Sequence, residues 1–200
     1  MAKEKSTNKI TNLLAGLLFE LITDIPESMC KPSDHPDKDI EGLIKTASVK
    51  AAAVSATLSI PAGITGVVVS IPDIIAVWKI QAQLVSDIAL TYGKVAILNK
   101  ESMMVCLFKH SAAHLLKDLV THTGPRIIVH KLSTTALKKA LDRISVHFSS
   151  KFLRRIALKA VPAIGAVGNG AISFWDTKQV GKTAQAYFKS HQVPPPLNLP

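Results

Sequence analysis

Aromatic side chains make up only 5% of this 200-residue chain, and cysteine occurs twice, at Cys30 and Cys106. Two cysteines exclude a small disulfide-stapled scaffold. Few aromatics leave few stacking platforms of the kind that single-stranded nucleic acid requires. Charged residues amount to 19% against 48% apolar. That balance excludes a disordered chain, which is apolar-poor and charge-rich. Acid is nearly missing from one half. Residues 100–200 hold 4 Asp+Glu against 15 Lys+Arg, whereas residues 1–99 hold 10 against 9. The whole excess behind the net charge of +10 therefore lies in the second half. Arg126 to Lys159 alone carries nine basic residues and one acid, Asp142. Such asymmetry points to an anionic partner, nucleic acid or membrane lipid, against the alternative of a solvated helix face. No signal peptide is read at the start. Lys3, Lys5 and Lys9 precede an apolar run, but Asn12 and Glu20 interrupt it and no small-residue cleavage site follows. Met1-Ala2-Lys3 lacks the glycine that myristoylation needs. An ordinary cytosolic N-terminus is expected.

What is present is helical pattern. Ile10, Leu13, Leu14, Leu17, Leu18 and Leu21 fall at helical spacing, so residues 8–23 are expected to form an amphipathic helix. A polar linker with Pro26, Pro32 and Pro36 follows. A second helix is expected from about Asp37 to Ser59. Pro61, Gly63 and Gly66 then break the chain. Pro72 suits the first turn of a third helix, with Asp73 favoured there by charge. That helix should run to Tyr92, with Gly93 just past its end. Residues 100–122 read as a further helix closed by Gly124-Pro125. Arg126 to Val129 is β-branched but too short to found a sheet. Helical pattern resumes over Ser133–Lys159 and Asp176–His191, and Pro194-Pro195-Pro196 mark an extended tail. The fold class is all-α, a compact helical domain with Gly/Pro-rich apolar hairpins.

Two stretches carry no charge, Ala51–Pro72 and Ala160–Trp175, of 22 and 16 residues. A membrane span needs roughly 20 mostly apolar residues. The first is long enough but is punctured by Pro61, Gly63 and Gly66; the second is too short. Both are rich in Gly, Ala and Ser, which lets backbones approach closely in a tight core or a membrane-inserted hairpin. The stretches also echo one another. Each is a Pro/Gly-rich apolar turn, then an acid (Asp73, Asp176), then a helix ending near Tyr92 or Tyr187. This is the pattern of a diverged internal repeat.

The same segments carry a family resemblance. Lys159-Ala160-Val161-Pro162-Ala163-Ile164-Gly165-Ala166-Val167-Gly168-Asn169-Gly170 continues to Phe174, Gln179-Val180-Gly181 and Ala184, Tyr187 and Phe188. It resembles the C-terminal signature of the EcsC protein family. Pro61-Ala62-Gly63, Pro72-Asp73 and Ile88-Ala89-Leu90-Thr91-Tyr92-Gly93 resemble that family's central part. The likeness spans roughly residues 45–190. Two departures stand out: Ser173 replaces the family's Asn, and Trp175-Asp176 replaces a Thr-containing turn. The resemblance implies a bacterial, helical, membrane- or lipid-associated protein, similar in part to senescence and spartin-type domains. It supplies no catalytic residues. The implied organisation is an N-terminal helix and linker (1–38), an EcsC-like helical domain (39–191) and a Pro-rich tail (192–200).

Candidate chemistry is sparse. Gly181-Lys182-Thr183 resembles the end of a phosphate loop, but Asp176 stands where the first glycine belongs. Gly165, Gly168 and Gly170 are in the wrong order for a dinucleotide fingerprint and fit close helix packing better. His110 and His114 lie at metal-ligand spacing, but Ser111 replaces the glutamate of a zinc-protease motif. Cys106 sits in an apolar run where a small buried hydrophobe is expected. Asp73 and Asp176 are expected to open helices. The best functional signal is basic: Lys151, Arg155 and Lys159 stack at i, i+4, i+8 with Arg154 beside them, flanking Phe148, Phe152 and Ile156. A basic stripe beside an apolar one suits an anionic bilayer surface.

The expectation is a non-enzymatic peripheral protein, cytoplasmic and held at the inner membrane by anionic lipid, with a membrane-protein partner as a further candidate. Lys151, Arg154, Arg155 and Lys159 would meet phosphates; the segments containing Pro61, Gly63, Gly66, Pro162, Gly165, Gly168 and Gly170 would meet acyl chains. No cofactor is called for, and nucleic acid ranks below lipid as a partner. The alternatives are a small metal-dependent hydrolase using His110 and His114, and a membrane-inserting toxin or effector.

Overall fold

Ile10, Leu14, Leu18 and Ile22 recur every fourth residue, and all four are buried on one face of the first helix, α1 (Ala2–Thr23). They pack in the same core as the rest of the chain, so the N-terminal helix is an integral layer of the fold. A computed structural model describes residues 2–57, 66–117, 120–123, 126–158 and 162–191. Five more α-helices follow: α2 (Pro36–Thr57), α3 (Gly66–Thr91), α4 (Lys100–Ala112), α5 (Thr134–Leu158) and α6 (Pro162–Ser190). A short antiparallel hairpin, β1 (Val120–Thr123) with β2 (Arg126–Val129), joins α4 to α5. The fold is all-α apart from this hairpin.

The helices group by partner. α2, α3 and α6 pack on one another, α4 lies against α6, and α1 lies along α5. Trp78 of α3, Phe108 of α4 and Phe148 of α5 meet edge-to-face, with ring centroids 5.6–6.0 Å apart. Such pairs contribute about 0.5–1.5 kcal/mol each beyond the area they bury. Thr11 on α1 donates to Ser149 on α5 at 3.2 Å.

The tightest crossing is α2 on α6. α6 buries Gly170, Ser173, Thr177, Gly181 and Ala184 at three- and four-residue steps. Opposite stand Ile44, Ser48, Ala51, Ala52 and Ser55 of α2. A Cβ added at Gly170 would lie 3.2 Å from the Ala52 carbonyl oxygen. One added at Gly181 would lie 2.5 Å from Ile44 Cγ1. Ser55 Oγ and Ser173 Oγ share a buried hydrogen bond of 2.6 Å. The serine that departs from the expected Asn thus pairs with another small hydroxyl where space is short.

Helix ends follow ordinary rules. Gly93, just past α3, has φ +65°, the left-handed conformation that glycine adopts without strain. Asn99 caps α4 in a reciprocal box: its side chain accepts from Ser102 N–H while Ser102 Oγ accepts from Asn99 N–H. Asp37, in the first turn of α2, ties three elements together. Its carboxylate accepts from Tyr92 Oη at 2.6 Å and from Lys189 Nζ at 2.6 Å.

Several boundaries differ from the sequence expectation. α4 ends at Ala112, not near residue 122, and passes into a short 3-10 turn, Ala113–Leu115. Val120, Thr121 and His122 then pair with Val129, Ile128 and Ile127. Apart from His122 and Arg126, the strand positions are all Val, Thr or Ile, residue types that favour strands even when these are short. Pro72 and Asp73 lie within α3, which begins at Gly66, and Asp176 lies in the middle of α6. Neither acid opens a helix. Glycine costs a helix only about 1 kcal/mol per residue, so the glycine-bearing run from Pro162 can be helical where it is packed closely. The turns expected at residues 58–65 and 159–161, with Pro61 and Gly63, lie outside the described residues, as does the tail from 192. Among the described residues, the one window long and apolar enough to cross a membrane is Ile74–Thr91, 56% of it buried. It coincides with neither charge-free stretch, and its burial is that of a core helix.

Two predictions follow from this packing. Gly42 is exposed in α2 with open space around its Cβ direction, so Gly42→Ala should raise stability by about 0.5–1 kcal/mol in denaturant unfolding. Gly181→Leu, driven into Ile44, should lower it by about 1–3 kcal/mol. Lys189 and Tyr92 hold the Asp37 carboxyl below its ordinary 3.8. A carboxyl depressed in the folded state adds stability above its unfolded pKa and loses it as pH falls through the folded value. The Tm advantage of the native chain over Asp37→Asn should therefore be present at neutral pH and shrink once the pH drops below about 4.

Candidate functional site

α6 changes character between Asn169 and Lys182. Two of its inward positions are polar: Ser173 is 7% exposed and Thr177 fully buried, while Val180 one turn on belongs to the apolar core. Two large apolar side chains face outward, Ile172 at 41% exposed and Trp175 at 58%, beside the exposed Ala171. Lys178 and Lys182 continue the exposed face. In the turn from Ile172 to Thr177 the usual sense of a surface helix, apolar in and polar out, is therefore reversed.

The inward side is satisfied by a polar cluster. Asp176 accepts from Gln81 Nε2 at 2.9 Å, and its other oxygen pairs with His110 Nε2 at 2.8 Å. Gln81 Nε2 also donates to Thr177 Oγ1 at 3.2 Å. Gln81 and Thr177 are buried, the His110 side chain is 8% exposed, and Asp176 is partly open at 32%. The contact therefore joins α3, α4 and α6 through one carboxylate. His110 Nδ1 is buried with no hydrogen-bond partner among the described residues.

Chemically, an ionised carboxylate only accepts, so the contact orients the imidazole with Nε2–H toward Asp176 and Nδ1 toward the interior. A nucleophilic site would place a hydroxyl or thiol within hydrogen-bond reach of that nitrogen. Thr177 Oγ1 instead takes its hydrogen bond from Gln81. Cys106 is fully buried, and burial pushes its thiol pKa up, as expected of a small hydrophobe.

Sequence reasoning singled out His110 and Asp176 for separate reasons, and the structure brings them together. It does not bring His110 to His114. α4 stops between them, and the exposed His114 ring meets His147 edge-on at 5.5 Å. Among the described residues no group of three His, Cys, Asp or Glu side chains is placed to hold a metal. Gln81 and Thr177 were missed. The signal for Gln81 was present: a polar residue in the buried phase of Trp78, Val85 and Ile88.

The other candidates divide by place. Lys151, Arg154 and Arg155 belong to α5, but their side chains lie outside the described residues, as does Lys159 altogether. The described turns of α5 bury Leu137, Leu141 and Ile144 and expose Lys138, Lys139, Arg143 and Val146. Lys138 Nζ sits 5.7 Å over the Phe19 ring. Phe148, read as part of an outward apolar stripe, is half-buried in the aromatic cluster. Gly66 opens α3, Pro162 opens α6, and Gly165 lies within α6. Gly168 faces open space, while Gly170 abuts α2. The Asp73 side chain is outside the described residues. Gly181, Lys182 and Thr183 are mid-helix, with Thr183 donating to the Gln179 carbonyl, so no phosphate loop exists there. A separate cleft of about 540 Å³ lies between α1 and α3, walled by Leu17, Leu21, Ile75 and Trp78 and flanked by Glu20, Asp24 and Lys79.

The residues that carry the family resemblance are mainly structural. Ile88, Ala89, Ala184 and Phe188 are fully buried, Gly93 ends α3, and Tyr92 anchors Asp37. Among known families, the EcsC protein family matches residues 2–190. No curated protein and no solved structure matches the chain.

Asp176→Ala strips the buried imidazole of its acceptor and should cost about 1–3 kcal/mol of stability. Combined with His110→Ala in a double-mutant cycle, the losses should fall short of additive by at least about 0.5 kcal/mol. Additive losses would show that the contact contributes nothing.

Proposed function

The chain belongs to the EcsC protein family, and from that premise we propose that it is a peripheral protein of the cytosolic membrane face, bound to anionic lipid and without catalytic activity of its own. The observation that carries this is the basic exposed face of α5. Lys138, Lys139 and Arg143 project from it, with only Asp142 of opposite sign, and the helix continues toward Lys151, Arg154 and Arg155. Near an anionic leaflet each Lys or Arg contributes about 1 kcal/mol. Duplex DNA would attract the same charge, but no recognition-helix motif accompanies it. Lys151, Arg154, Arg155 and Lys159 are the groups assigned to headgroup phosphates, and the glycine-bearing segments to the acyl boundary.

Neutralising all four to Gln should abolish sedimentation with phosphatidylglycerol vesicles at low salt, by an affinity loss of at least about a hundredfold. The native protein should lose binding progressively as salt rises. Unchanged binding of the variant would overturn the electrostatic assignment.

A further inference from the structure

We propose that the outward face of α6 at Ile172 and Trp175 is the element that enters the headgroup region of an anionic bilayer, with Lys178 and Lys182 on the phosphates above it. This rests on the membrane reading just given and names the inserted surface.

Four observations converge on this face. Trp175 is the most exposed aromatic side chain among the described residues whose burial is quantified, and Ile172 stands one turn before it on the same face. The usual polarity is reversed over one turn here: Ser173 and Thr177 are buried while Ile172 and Trp175 meet solvent. A sequence folding for water alone would gain by the opposite arrangement. Polarity also changes along the axis. Trp175 is the last residue of the charge-free run that begins at Ala160. Lys178 and Lys182 follow on the exposed face, about 4.5 and 10 Å further along a helix rising 1.5 Å per residue. An apolar end, a tryptophan at the boundary and lysines beyond it is the order in which side chains meet a membrane from its interior outward. Finally, the one acid of this segment, Asp176, is engaged by His110 and Gln81. A carboxylate so held opposes the headgroups less than a free one at the contact face.

A protein groove could also receive a tryptophan and an isoleucine. Charge decides for the bilayer: the exposed face past Trp175 carries Lys178 and Lys182, while Lys189 beyond them is paired with Asp37. Leu13, Met29, Val49, Val95 and Val146 are also exposed, but each stands singly on its own element or linker, whereas Ile172 and Trp175 share one helix face.

Tryptophan emission tests this directly, because the second tryptophan, Trp78, is only 6% exposed and gives a constant background. The full chain is mixed with vesicles of phosphatidylglycerol and phosphatidylcholine, and the spectrum of Trp175→Phe is subtracted. The expected result is a blue-shifted Trp175 signal that lipids brominated on the acyl chain quench. Trp175→Ala should fold normally and weaken vesicle binding by about tenfold, as loss of one buried large side chain implies. If the protein sediments with vesicles while Trp175 keeps its aqueous emission, this face is not the inserted one and the inference fails alone. If the native protein does not sediment with vesicles at all, the membrane reading fails with it. Equal binding to pure phosphatidylcholine would overturn the role given to Lys178 and Lys182.

Discussion

The close approach of α2 and α6 is the constraint from which the rest of the structure proceeds. Gly170 sits against the Ala52 carbonyl, where a Cβ would be tight, and Gly181 against Ile44, where one would force a shift. Once α6 is pinned there, its rotation about its own axis is fixed. Ser173 then meets Ser55, and Thr177 and Asp176 meet Gln81 and His110. The same rotation turns Ile172 and Trp175 outward. The reversed polarity of the Ile172–Thr177 turn is thus a consequence of tight small-residue packing, not an independent feature. A helix seam built from Gly, Ala and Ser gains little from apolar area, so hydrogen bonds and dispersion at short range carry more of its stability.

The His110–Asp176 contact matters for the same reason. A carboxylate in the middle of a core helix needs partners, and it finds them on two different helices. It therefore locks α4 and α3 to α6 at one level. The Asp37 contact does similar work at the other end, where Tyr92 and Lys189 converge. Beside these two polar ties, Trp78, Phe108 and Phe148 meet edge-to-face within the apolar core. The protein can present an apolar outer edge without collapsing around it because its interior is held in place at both levels.

Much of this was legible in the sequence. Ile10, Leu14 and Leu18 announce a helix by their spacing, Gly93 announces a helix end, and Gly170 announces close packing, whereas Gly168, read the same way, faces open space and the tight approach at Gly181 is not signalled. What was not legible is long-range. Asp176 follows a charge-free, glycine-bearing run and so looks like a helix start; only packing on α2 makes that run helical. The β1–β2 hairpin was missed because Arg126–Val129, though β-branched, is short, and its partner strand lay within the expected α4; the register pairs Val120 with Val129 and Thr121 with Ile128. His110 and Asp176, 66 residues apart, carry no local sign that they meet. Trp175 reads in sequence as the end of an apolar segment, and its exposure depends on the rotation of α6.

The central claim is that a rigid helical core presents one basic helix and one apolar edge to a membrane surface. Fractionation of expressing cells tests it most directly, with the membrane pellet washed first at low salt, then at high salt, then at alkaline pH. The account predicts that the protein sediments with membranes at low salt and is released by high salt, because charge draws it there and only two or so side chains enter. Protein found wholly in the low-salt supernatant would contradict it.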